Sequence, residues 1–205
     1  MEIQWIKKKR NKRMYMRIRN HTLIITTPMH TTKKQVDAFI EKNRRWIETH
    51  KDDAPVLIEK GMRVHLLGRE VTVEFDAYCH LEENILCLSG DEEQDKAFLL
   101  QLLKPYLEQK FHRFRTSMKI EEVQLKYGFY RSKWGSCQPQ KKIIRFNGYL
   151  VFTDPEIIDA IIVHELAHMR VANHSSNFYA IVLRYQPHYK QIMKRLNTMK
   201  IPRFS

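Results

Sequence analysis

The chain has 205 residues, 43% of them hydrophobic, and a formal net charge of +13 from 36 Lys and Arg against 23 Asp and Glu. The apolar fraction supports a core in one large domain or two small ones and excludes a disordered chain, while no stretch of about 18 apolar residues exists to span a membrane. Cys79, Cys87 and Cys137 are odd in number and form no C-x-x-C pair, so neither a disulfide framework nor a zinc ribbon is indicated; with no signal-like apolar run in "MEIQWIKKKRNKR", a soluble, cytoplasmic protein without membrane partners is expected.

"MRIRNHTLIITTP" predicts two short strands joined at Asn20-His21 and ended by Pro28. In "TTKKQVDAFIEKNRRWIETH", Val36, Phe39, Ile40 and Ile47 recur at three- and four-residue intervals, so a helix is expected with Thr31 or Thr32 as its N-cap. "MRVHLLGREVTVEF" alternates around Gly68 as a hairpin does, and "NILCLSG" reads as a further strand ending at Gly90. From Asp91 to about Met118 the spacing is helical, with a kink expected at Pro105. "EEVQLKYG" and "KKIIRFNGYL" are the next strand candidates.

"TDPEIIDAIIVHELAHMR" is β-branched inside, which propensity alone would make a strand. Asp154 as N-cap, Pro155 at the first helical position and Glu156 behind it turn the reading to a helix. His164 and His168, four residues apart, then project from one face and form a two-point metal chelate. Glu165 stands about 100° around the helix from His164, where its carboxylate can reach a water on the metal without being a ligand. This is the pattern H-E-x-x-H, and three imidazoles would suit zinc, with nickel, iron or copper also possible.

Zinc hydrolases keep three protein ligands and one open position. No Asp or Glu follows Glu165, so the third ligand is expected to be His174, with His188 as the alternative. A continued helix would turn His174 about 240° away from His168. The helix is therefore expected to stop after His168, with Asn173 as a left-handed residue and Ser175 or Ser176 capping the next helix, "NFYAIVLRY", whose Phe178 and Tyr179 read as core residues.

"YRSKWGSCQPQKKIIRFNGYLVFTDPEIIDAIIVHELAHMRVANHSSNFY" resembles the YgjP-like metallopeptidase family, whose members share W-G-S-C, then an Asn and a Leu, then H-E-L-x-H and N-H-S. The three-His spacing is also similar to the metzincins and to the WLM and SprT proteases, departing from the metzincins at Val171, where they carry glycine. The resemblance implies an α+β module over 1–205: a zincin-like catalytic lobe (119–205) of short antiparallel strands plus the H-E-x-x-H helix, and a β-rich N-terminal lobe (1–118) carrying two helices. It implies a zinc metallopeptidase in which Glu165 is the base and Trp134, Gly135, Ser136 and Cys137 form the edge against which a polypeptide substrate pairs. Core packing of Trp134 and an inert Cys137 are the plain alternative.

Two other functions suit the same residues. One is a metal-dependent hydrolase of a nucleotide or other phosphorylated substrate, which the +13 charge would attract, although no G-x-x-x-x-G-K-[ST] loop is present. The other is a basic nucleic-acid-binding module with a structural metal, for which Cys137 would be the fourth ligand and Lys7, Lys8, Lys9, Arg10, Lys12 and Arg13 the contacting surface.

Overall fold

A computed structural model describes residues 1–19, 22–50 and 56–204. The chain is α+β and divides into two compact units, Met1–Val56 and Leu57–Ser205. The stretch up to Met118 is thus shared between them.

The first unit is built on β1 (Glu2–Lys7), β2 (Tyr15–Arg19) and β3 (Thr22–Thr27), in the order β1-β3-β2. β2 and β3 are antiparallel as expected, and the joint at Asn20-His21 lies outside the described residues. β1 runs parallel to β3 and has no buried stripe to announce it, since no position along it is fully buried. Alternation sends Leu23 and Ile25 of β3 to a small core with Val36 and Ile47 from α1 (Lys33–Lys42) and α2 (Arg44–His50). One helix was expected here. It breaks at Asn43, whose Nδ2 donates to the Phe39 carbonyl at 2.8 Å and replaces the backbone donor of a continuing turn. Thr32, not Thr31, is the cap, in a reciprocal capping box with Gln35.

The second unit opens with the predicted hairpin, β4 (Arg63–Leu66) and β5 (Arg69–Phe75). Leu67 and Gly68 both take positive φ, as a two-residue hairpin turn of this hand requires. A β-carbon on Gly68 would stand 2.6 Å from Cδ of Pro155, so the bare turn also lets this hairpin reach the start of the histidine-bearing helix. β6 (His80–Glu82) and β7 (Ile85–Leu88) complete a sheet in the order β4-β5-β7-β6. α3 (Glu92–Ser117) begins at Asp91, which accepts from the Gln94 amide, and runs through Pro105. It buries Asp95, Leu99, Leu103, Leu107 and Phe111 at four-residue steps. Asp95 is satisfied there by the Ser89 and Gly90 amides, the Ser89 hydroxyl and the Cys79 thiol.

A second sheet carries the site. β8 (Gln124–Gly128), β9 (Gly135–Gln138) and β10 (Ile143–Asn147) lie in the order β8-β10-β9. The expected all-antiparallel arrangement is corrected: β9 is antiparallel to β10, but β8 is parallel to it, the connection 129–142 being long enough to bring the chain back in the same direction. The strand expected over "KKIIRFNGYL" ends at Asn147, whose side chain accepts from the Tyr149 amide and starts a 3-10 turn over Gly148–Phe152.

α4 (Pro155–His168), α5 (Ser176–Tyr185) and α6 (Tyr189–Thr198) follow. α4 buries Ile157, Ile158, Ile161, Ile162, Val163 and Leu166, so it is apolar nearly all round and its tertiary packing overrides its weak propensity. Asp154 holds the N-cap position without capping through its side chain. Its carboxylate instead meets His65 Nδ1 and Arg195, each at 3.3 Å.

Candidate metal centre

α4 presents His164 and His168 on successive turns, and the chain then brings His174 back against them. Nε2 of His164 lies 3.2 Å from Nε2 of His168 and 3.2 Å from Nε2 of His174. All three ligand atoms fall within 4.8 Å of one another. A tetrahedral ion with nitrogen ligands at about 2.0–2.1 Å would separate them by about 3.3 Å, so the residues fit the donor set of a structural or catalytic zinc site. The turn that does this differs from the expected one. The helix ends on Met169 with right-handed dihedrals, and Asn173 is not left-handed. The amides of Met169, Arg170 and Val171 bond back to Leu166 and Ala167, which closes the last turn without a left-handed residue. Ser175 holds the N-cap position of α5, without a side-chain bond.

Two of the three remaining ring nitrogens are tied down. His168 Nδ1–H donates to the Val171 carbonyl at 3.1 Å, and His164 Nδ1 meets the Tyr189 hydroxyl at 2.6 Å. In the tautomer that frees Nε2 as a lone pair, His164 Nδ1–H donates to that oxygen. Burial and then the neighbouring imidazoles push His164 down to about 4, and burial also lowers His168, so both rings are neutral near pH 7. Phe178 of α5, fully buried, stands against all three imidazoles at centroid distances of 5.0, 4.5 and 4.8 Å.

Glu165 is 4% exposed, and its Oε2 has no hydrogen-bond partner. Burial raises its carboxyl to about 8 against the opposing pull of Lys133. It does not belong to the three-imidazole group. β9 passes directly over it: a β-carbon on Gly135 would be 2.6 Å from Oε1.

A model of the YgjP-like metallopeptidase domain matches residues 12–199. The chain belongs to the YgjP-like metallopeptidase family. It is a metal-dependent hydrolase. The YgjP-like chain is also similar to two solved metallopeptidase zymogens. That of Pyrococcus abyssi abylysin is 21% identical, with a TM-score of 0.43, over 45% of this chain and 92% of its own. That of Methanocaldococcus jannaschii jannalysin is 24% identical, with a TM-score of 0.41, over 44% of this chain and 93% of its own. No curated protein matches.

In this YgjP-like chain the structure brings together His164, His168, His174, Glu165 and Gly135. His188 sits at the N-cap of α6, outside the group. Cys137 is outside it as well; its thiol donates to Met169 Sδ at 3.3 Å and is pushed up to about 12 by burial and the Glu165 charge. Trp134 is half-buried, packs against the main core and donates nothing to the cluster, while Ser136 pairs with Arg145 of β10. Two residues carry roles that spacing did not reveal. Tyr189 reaches the site from another helix, with only its early position in α6 as a signal. Asn147, 1% exposed, gives its Nδ2 to the Tyr130 and Lys133 carbonyls at 2.7 and 2.6 Å and accepts from the Tyr130 and Tyr149 amides, which fastens the segment leading into β9.

Proposed function

We propose that the chain is a zinc-dependent peptidase in which His164, His168 and His174 hold the ion and Glu165 is the general base. The observation that carries this reading is the convergence of three imidazoles beside a buried carboxylate with one unpartnered oxygen. Zinc, when bound, supplies Lewis acidity: it acidifies water and polarises the carbonyl to be attacked. Glu165 takes a proton on Oε2 and returns it to the leaving amine; a carboxyl held near neutrality by burial serves both transfers. The low dielectric around this carboxylate comes from the apolar walls of α4 and the glycine backbone of β9.

β9 is the edge of its sheet, and we assign Trp134, Gly135, Ser136 and Cys137 to the pairing of an extended substrate backbone. Gly135 allows that strand to lie on Glu165, which puts the paired peptide beside the base. A structural metal needs four protein ligands, and among the described residues no fourth His, Cys, Asp or Glu joins the three imidazoles. That favours a hydrolase over a nucleic-acid module held by a closed metal site.

Glu165→Gln is the direct test. The variant should bind zinc with wild-type stoichiometry and lose peptide hydrolysis by about 10³-fold or more. Full activity of the variant on a peptide cleaved by the wild type, or hydrolysis of nucleoside triphosphates with no peptide cleaved, contradicts the reading.

A further inference from the structure

From Val123 to Thr153 the chain holds Lys126, Arg131, Lys133, Lys141, Lys142 and Arg145 and not one Asp or Glu. This tract is the β8-β10-β9 sheet and its connections. Lys142 is neutralised by Glu121 at 2.6 Å. Among the described residues the other five make no ion pair, whereas Lys60, Arg63, Lys96, Lys110, Arg115 and Arg195 all do. The sheet whose edge runs over Glu165 and its connections therefore carry five cations without an ion pair and no carboxylate of their own.

Their placement is regular. On β10, Ile144 and Phe146 are buried, so Arg145 between them faces outward. Register sets Arg145 opposite Ser136 of β9 and opposite Lys126 of β8. Like charges directly across a sheet destabilise it unless an anion lies between or beside them. At the other end of β9, Lys133 is exposed and stands two residues before the glycine that touches Glu165. Its backbone is fastened by Asn147 Nδ2 at 2.6 Å, so the start of the edge strand is fixed where a substrate strand would begin to pair. Beyond the site the trend continues, since no acidic residue follows Glu165.

We infer that the segment received by β9 is acidic: an extended polypeptide whose Asp or Glu side chains meet Lys133 at one end of the strand and Arg145 of the neighbouring β10 on the outer face of the sheet. The inference rests on reading the centre as a peptidase and adds the charge of its substrate. An edge strand offers alternating backbone donors and acceptors that a peptide matches and a sugar-phosphate chain does not, which favours polypeptide over nucleic acid as the anion.

The test uses the full chain as Glu165→Gln, loaded with zinc, and three fluorescent peptides that differ only in flanking Glu, Gln or Lys. Anisotropy should show the Glu peptide binding about tenfold more tightly than the Gln peptide and the Lys peptide most weakly, with the difference collapsing between about 0.05 and 0.5 M salt. Adding Lys133→Glu and Arg145→Glu should reverse the order while zinc stoichiometry is kept. If that variant does not fold, Lys133→Gln alone should reduce the Glu preference to about threefold or less. Equal binding of the Glu and Gln peptides overturns the inference, as does an unchanged preference in a folded charge-reversed variant. A single-stranded oligonucleotide that binds this edge while the Glu peptide does not also overturns it. Cleavage is read in parallel on the wild type: no cleavage of any of the three peptides counts against the peptidase reading, while cleavage at equal rates counts against the acidic segment alone.

Discussion

Gly135 and Glu165 are in contact, with the glycine backbone so near the carboxylate that a β-carbon would lie 2.6 Å from Oε1, 2.7 Å from Cγ and 2.8 Å from Cδ. The strand proposed to receive substrate and the proposed base therefore hold one another in place. Gly135→Ala must displace one of them. Since a shift of about 1 Å in a reacting group can cost about 10²-fold, kcat should fall by about that factor while zinc affinity stays within about threefold, because no imidazole moves. Steady-state kinetics beside a chelator titration checks this; unchanged kcat counts against the contact.

Tyr189 acts through His164. Removing the hydroxyl that sits 2.6 Å from Nδ1 leaves that ring nitrogen without its partner. Partners of this kind are worth about 10- to 100-fold in metal affinity. Tyr189→Phe should weaken zinc binding by about tenfold in competition with a chelator and leave the melting temperature of the metal-free protein within a few degrees.

Asn147 is buried and makes four hydrogen bonds, three of which join β10 to the approach of β9 while the fourth starts the 3-10 turn after it. Asn147→Ala leaves two carbonyls and two amides short of a partner, and should cost about 2–3 kcal/mol. For a chain of this size that is a fall of about 5–10 °C in melting temperature. Asn147→Asp keeps the acceptor and loses both donors, so it should not rescue.

The metal-free protein should be less stable at alkaline pH for an identifiable reason. Glu165 is raised to about 8 by burial, whereas in the unfolded chain it titrates near the ordinary carboxyl value of about 4.3. Between these values the folded state holds the extra proton, so stability falls as pH rises. His164 has the opposite sign: burial depresses it to about 4 from an ordinary value of about 6.5, so its contribution to stability grows as pH rises through that window and is complete above it. From about pH 6.5 to 8.5 the Glu165 slope is left unopposed by His164. Thermal melts in excess chelator should show a decline over that interval which Glu165→Gln largely removes; identical slopes in the two proteins contradict the burial argument.

The geometry of α4 was legible because a helix converts sequence spacing into position: His164, Glu165 and His168 could be placed by the 3.6-residue period alone. His174 followed from the lack of any later carboxylate, although the turn that delivers it closes through Ala167 and Leu166 carbonyls instead of a left-handed Asn173. The hairpin at Gly68 and the helix from Asp91 were equally plain, each having a turn or cap residue at its boundary. What stayed hidden depends on contacts between distant segments. β1 has no buried stripe, Asn43 breaks a helix through a side-chain bond that its periodicity does not encode, and Tyr189 and Asn147 act across 25 and 17 positions. The parallel pairing of β8 with β10 is likewise a matter of how the intervening chain returns.

The account stands most directly on X-ray absorption at the zinc edge of the full chain reconstituted with one equivalent of zinc. The predicted spectrum has three imidazole nitrogens and one further light oxygen scatterer, all at about 2.0–2.1 Å, and loses its imidazole signature when His164, His168 or His174 is replaced by Ala. A sulfur shell at about 2.3 Å, or a spectrum unchanged by those replacements, contradicts a three-histidine centre with one position left for chemistry.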